Sequence, residues 1–283
     1  MRWSEFGCNS LQGMAVIARR DYHGAVTSQF PSYLRRARNT RRLSQLELAV
    51  RAGTTQRHVS FMEQGRSRPG PGIVARLAEA LALSPRERND LLLAAGFAPA
   101  FPESPLDDDV LRPVRRALDT ILDGHLPYPA MVARPHGVLV AANRAFDLFY
   151  EGVDSALLVA PVNVFRLALH PDGVAPRVGN LAEWGRHITE NLRAQLARYG
   201  DPTLEALLTE LEGYLPRLPK EPDVLGFAVP LELESADGHL RLITTLTSFA
   251  TAADITLAEL HLEAFLPADE ASAEVLKQRA DRW

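Results

Sequence analysis

The stretch from Leu43 to Arg66 constrains this chain most, because it can hardly be anything but two short helices set across a tight turn. Ser44 followed by Glu47 forms a capping box, so a helix starts just after Ser44. Leu46, Ala49 and Val50 are expected to form its inward face, and Ala49 is small where helices must approach closely. Gly53 ends that helix, since glycine enters the left-handed region without a Cβ penalty. Thr54 or Thr55 caps a second helix with Val59 and Met62 facing inward, and Gly65 closes it. Two helices of this length joined by a glycine turn make a helix-turn-helix.

What faces outward in such a unit decides its chemistry. Thr55, Gln56 and Arg57 at the start of the second helix, with Ser60 and Phe61 one turn on, are not needed for the core. They are positioned to enter a major groove. Gln56 suits the adenine edge, Arg57 a guanine edge or a phosphate, and Phe61 a thymine methyl. Gln45 can offer its side-chain amide and backbone N–H to a phosphate, and Arg66 and Arg68 are further phosphate candidates. Glu63 is expected to serve structure by pairing with an arginine such as Arg38.

Charge supports this division of labour. Residues 30–100 carry 12 arginines and no lysine against 5 acids, whereas residues 101–283 carry 16 cations against 28 acids. Arginine is the cation suited to bidentate contact with phosphates and guanine. The net charge of −4 over 283 residues conceals that split. An apolar fraction of 46% marks a globular chain, and no apolar run approaches bilayer length. Val16-Ile17-Ala18, followed at once by two arginines, is too short for a secretory signal core. A single cysteine, Cys8, leaves no disulfide framework or multi-cysteine metal site, so the default expectation is a cytosolic protein without metal or cofactor.

Five segments are expected. Residues 1–29 form a mobile arm, with Met14 an alternative initiator; 30–98 form an all-α DNA-binding domain; and 99–109, rich in proline and aspartate, form a linker. Residues 110–269 form an α+β domain, and 270–283 a tail. Within the α+β domain, Val110–Leu122 has amphipathic helical spacing, and the runs 130–133 and 138–142 flank Pro135-His136-Gly137 as a hairpin. Asn143 is an expected N-cap for a helix through Tyr150. Helices are expected at 163–170, 180–199 and 203–214. Two strands, 224–235 and 239–249, are joined by Asp237-Gly238.

On these residues the chain resembles known families. The run Leu43-Ser44-Gln45-x-x-Leu48-Ala49, Gly53-Thr54-Thr55-Gln56 and Val59-Ser60…Glu63-x-Gly65 is similar to the Xre, lambdoid-repressor-like helix-turn-helix. That resemblance implies a five-helix bundle, helix four at about 72–81, helix five at 85–95 capped by Ser84, and dimeric binding to a palindromic double-stranded DNA operator. Phe61 departs from the polar residue common at its position. Residues 106–269 resemble the MmyB-like regulator ligand-binding domain, through Leu126-Pro127-x-Pro129-Ala130, Asn143-x-Ala145-Phe146 and Asn163-x-Phe165-Arg166 running to His170-Pro171-Asp172-Gly173. Thr245-x-Thr247-x-Phe249-x-Thr251 with Asp254, and Glu263-x-Phe265-x-Pro267-x-Asp269, extend it. It implies a PAS-like fold holding a small apolar, fatty-acid-like ligand.

A pocket of that kind lies between sheet and crossing helices. Its candidate liners are Val132, Leu139, Phe146 and Phe149, with Phe165, Leu167, Phe227 and Leu246. A ligand carboxylate would need a cation near the mouth, from Arg134, Arg166, Arg177 or His170. No Walker loop, dinucleotide fingerprint or His-Glu-x-x-His is present, so the chain is not expected to be an enzyme. The alternatives are an enzyme fused to a DNA-binding module, and a regulator whose second domain binds a protein partner.

Overall fold

The computed structural model describes residues 29–199, 201–216, 229–249 and 254–283. The expected N-terminal arm up to residue 28, Met14, Phe227 and the start of the strand expected from 224 lie outside the described residues. Two compact units divide the rest: described residues up to Ser104 together with 254–258, and residues from Pro105 onward apart from that segment.

The first unit is the expected five-helix bundle: α1 Phe30–Thr40, α2 Gln45–Arg51, α3 Gln56–Glu63, α4 Pro71–Ala80 and α5 Pro85–Ala94. Its boundaries follow from local chemistry. Ser44 and Ser84 each form a full capping box with a glutamate three residues on, and the Thr55 hydroxyl accepts from the His58 N–H. Gly53 sits at φ +61° in the turn between α2 and α3, where a side chain would be strained. Leu34, Leu48, Val59, Met62, Leu77 and Leu91 are fully buried in one core; burying a side chain of this size contributes about 1.5–3 kcal/mol.

The inward face of α2 differs from the expectation. Leu48 and Ala49 are buried, with Ala52 just beyond the helix, while Leu46 and Val50 are 55% and 72% exposed. With apolar residues at 46, 48, 49 and 50, periodicity over seven residues does not select a face; the neighbouring helices do.

The second unit has the α+β, PAS-like layer of one antiparallel sheet with helices. The sheet contains β1 Ala130–Arg134, β2 Val138–Ala142, β3 Leu231–Ser235, β4 Gly238–Ser248 and β5 His261–Pro267 in the order β2-β1-β5-β4-β3, every pair antiparallel. Helices α6 Arg112–Gly124, α7 Val164–Leu169, α8 Leu181–Tyr199, α9 Pro202–Tyr214 and α11 Glu270–Ala280 complete it. The one-turn helix α10, Ile255–Ala258, falls in the first unit. Ser235 pairs directly with Gly238, so the β3–β4 turn is Ala236-Asp237, one position earlier than expected.

Two further expectations change. Asn143 does not cap a helix; residues 144–150 form 3-10 turns, and the buried Asn143 side chain accepts from Ala130 N–H and donates to the Leu122 and Tyr128 carbonyls. It stitches β1 and β2 to α6, a use of its amide that short-range sequence cannot reveal. Residues 270–283 are no tail. In α11 Leu276 is buried, and Arg279 reaches Asp147, Glu151 and Asp237 at 3.1, 2.6 and 2.5 Å.

Gly137, in the β1–β2 turn, is required twice over. Its φ is +76°, and a Cβ there would lie 2.4 Å from the Phe165 ring. Gly137→Ala is therefore expected to push Phe165 off α7's packing position and cost about 1–3 kcal/mol in stability. Chemical denaturation of the purified variant checks this, and an unchanged midpoint would show that the turn relaxes freely.

Candidate nucleic-acid interface and ligand cavity

In the helical unit, the outward N-terminal turn of α3 presents Thr55, Gln56 and Arg57 to solvent, while Val59 and Met62 anchor the helix from beneath. Thr55 is the helix cap. The Arg57 guanidinium lies 5.1 Å from the Phe61 ring centroid, so Phe61 acts as a platform that orients Arg57. Ser60 Oγ accepts from Gln64 Nε2 at 2.9 Å. Arg66 and Arg68 are exposed in the loop after α3. Gln45, read as a phosphate contact, instead donates its amide to Glu63 Oε2 at 2.8 Å.

Glu63 is the buried hub of this surface. Arg38 binds it bidentately, Nε to Oε1 at 2.7 Å and Nη2 to Oε2 at 3.0 Å, as expected from the sequence. Arg38 also donates to the Leu43 carbonyl, and Arg35 to the Glu63 carbonyl. One carboxylate thus ties α1, the entry to α2 and the end of α3 together. Burial alone pushes the Glu63 carboxyl up, but hydrogen bonds from Arg38 and Gln45 and the charge of Arg35 outweigh it and hold the group below its usual range.

In the second unit, a cavity of about 490 Å³ opens between the sheet and the helices over it. Its floor is one sheet face, where Met131 on β1, Glu263 and Phe265 on β5, and Thr244 and Leu246 on β4 sit side by side in register. Phe146 and Phe149 close one end, their ring centroids 4.9 Å apart, and Phe149 packs 4.7 Å from Phe265. Phe165 and Leu167 come from α7, and Trp184 and Ile188 from α8. His187, Asn191 and Gln195, spaced four apart on α8, are exposed polar residues at the rim.

Of the expected liners, Phe146, Phe149, Phe165, Leu167 and Leu246 meet at this cavity. Val132 points to the opposite sheet face from its neighbour Met131, and Leu139 is buried in the surrounding core. The four candidate cations lie elsewhere. Arg166 forms a bidentate pair with Glu210, and Arg177 donates to the Leu148 and Glu234 carbonyls. His170 stacks edge-on against Tyr214 and accepts from the Asp172 N–H. Arg134, at the end of β1, has its Nε buried without a partner among the described residues. Among the described residues, the wall contains no lysine or arginine. In the sequence Glu263 stands out only as the first residue of the Glu263-x-Phe265-x-Pro267-x-Asp269 block, with no role of its own.

Because its folded-state pKa is depressed, the Glu63 carboxylate stabilises the helical unit above its unfolded pKa of ~4.3, and this contribution is lost as pH falls through the folded value. Arg38→Ala, which strands the buried acid, should destabilise the unit by roughly 3–5 kcal/mol. Thermal melts at pH 7 and in acid check both: the gap between wild type and variant should narrow in acid, and an equal gap at both pH values would contradict the assignment.

Comparison with known proteins fits both units. Residues 114–278 match the family model of the MmyB-like transcription regulator ligand binding domain, and residues 29–91 match a helix-turn-helix domain model. Over 57 residues the chain is 42% identical to an uncharacterized HTH-type transcriptional regulator, y4dL, of Sinorhizobium fredii (strain NBRC 101917 / NGR234), covering 20% of this chain and 29% of the relative. The chain thus spans less than a third of that curated relative's length. Among solved structures, the restriction-modification controller protein C.AhdI from Aeromonas hydrophila is 32% identical, covering 22% of this chain and 94% of its own, with a TM-score of 0.21. An RNA-binding Light-Oxygen-Voltage receptor is 15% identical, covering 90% and 64%, with a TM-score of 0.28. Since the ligand-binding-domain model matches more than half of its length, this chain belongs to the MmyB-like transcription regulators.

Proposed function

We propose that the protein is a sequence-specific, DNA-binding transcription regulator whose affinity for its operator is set by a small apolar ligand in the second unit. The helical unit reads double-stranded DNA with Gln56 and Arg57 at base edges, Thr55, Ser60 and Phe61 beside them, and Arg66 and Arg68 on phosphates. One recognition helix spans only a few base pairs, so binding is by a homodimer on a palindromic site. The ligand has a fatty-acid-like, extended apolar body that lies against the Phe146–Phe149–Phe265 cluster.

The observation that carries the coupling is topological. Strands β4 and β5 both wall the cavity, yet the chain between them enters the helical unit. There Ile255 N–H donates to the Pro102 carbonyl at 2.9 Å, Asp254 accepts from the Ser104 N–H at 3.0 Å, and the Thr256 hydroxyl donates to the Ser104 carbonyl at 2.8 Å. Asn89 on α5 holds the adjoining backbone through Ala100 and Phe101. A ligand that prefers one arrangement of β4 and β5 therefore acts on a segment bonded into the DNA-binding unit.

Selection of bound sequences from a random duplex pool tests the readout. Gln56→Ala and Arg57→Ala should each relax preference at one or two positions by ~1–3 kcal/mol. Arg68→Ala should instead weaken binding to all sequences and reduce the salt dependence. Unchanged preferences in both recognition-helix variants would remove α3 from the interface.

A further inference from the structure

Building on the ligand-cavity reading, we infer that the cavity selects an apolar amine, whose ammonium head pairs with Glu263, over a carboxylic acid of the same body. The side chain of Glu263 stands on the cavity floor between cross-strand neighbours Met131 and Leu246, with Phe265 next along the same face of β5. None of the three offers it a hydrogen bond, and among the described residues no lysine or arginine pairs with it.

Among the described residues, the surrounding elements place no lysine or arginine on the cavity wall. β1 and β4 contribute Met131, Thr244 and Leu246 to the wall; α7 contributes Val164, Phe165, Leu167 and Ala168. From α8 come His187 and two amides, with His187 Nε2 and the Asn191 amide 3.2 Å apart at the rim. His261, on the same face of β5, has its Nδ1 buried without a partner and its pKa lowered by burial, so its ring stays neutral. Among the described arginines nearby, Arg166 is held by Glu210, Arg177 by backbone carbonyls and Arg193 by Glu212, and neither Arg134 nor Arg186 is on the cavity wall.

Burial raises the Glu263 carboxyl to about 7, the mark of an acid that lacks a partner when ionised. An ammonium entering beside it supplies that partner as a charge-assisted hydrogen bond in a site of low dielectric. A ligand carboxylate meets a like charge there unless one of the two acids holds a proton, a cost that an ammonium does not incur. The apolar body lies against the aromatic end, where rings also favour a cation nearby.

Isothermal titration of the full-length protein, freed of co-purified lipid, with decylamine, decanol and decanoate tests this at neutral pH. Decylamine should bind at least about tenfold more tightly than decanoate, and Glu263→Gln should weaken decylamine by about tenfold while sparing decanol. The variant also controls for general attraction of amines to an acidic protein. Decanoate binding as tightly as decylamine, or decylamine indifferent to Glu263→Gln, would overturn the head-group assignment while leaving the cavity reading intact. If none of the three binds the wild-type protein, the ligand-cavity reading falls, and this inference with it. The wild-type comparison of amine with acid stands even if the variant does not fold.

Discussion

The buried contact between Glu63 and Arg38 fixes the angle at which α3 leaves the helical bundle. Both carboxylate oxygens are engaged, and Arg38 and Arg35 add bonds to the carbonyls of Leu43 and Glu63. Removing any partner leaves a buried charge unsatisfied, so the arrangement favours one geometry rather than a range. This matters for the proposed base readout, which needs closely placed side chains, because an eight-residue helix is too short to hold itself in place. Gln45 belongs to this hub. Its amide helps hold α3 from behind rather than reaching outward.

The second unit follows a different logic. Its sheet buries one apolar face under helices and leaves a hollow lined by Phe146, Phe149 and Phe265. Large aromatic side chains at a packed interface normally close such space, and an acid on the floor would normally be removed or paired. Both are tolerated here, and an acid whose pKa is raised in an apolar cleft is commonly a mark of a functional site. Between β4 and β5, Asp254 and Thr256 bond to the Ser104 backbone in the helical unit, which is the route the proposed coupling uses.

Much of this was legible in the sequence because it rests on short-range rules. The capping box at Ser44, the cap at Ser84, the left-handed Gly53 and the hairpin around Asp237-Gly238 are all decided within a few residues. What escaped reading depends on distant partners. Leu46 and Val50 look inward by spacing, but α1, α3 and α4 choose Leu48 and Ala49. Asn143 has the chemistry of a cap, but three backbone groups from two other segments claim its amide. Helix α11 reads as a tail until Arg279 meets acids more than forty residues away. The cavity was half legible: five aromatic and aliphatic liners were visible as apolar positions, whereas Glu263 acquires meaning only when β1 and β4 place apolar residues on both sides of it.

The central claim is that occupancy of the cavity changes DNA affinity. Fluorescence anisotropy of the full-length protein on its selected operator, at fixed salt and with cavity occupancy verified by native mass spectrometry, tests it most directly. The account predicts that saturating ligand shifts the operator Kd by about fivefold or more, the scale of ordinary allosteric coupling. The same Kd for the empty and the fully occupied protein would contradict it.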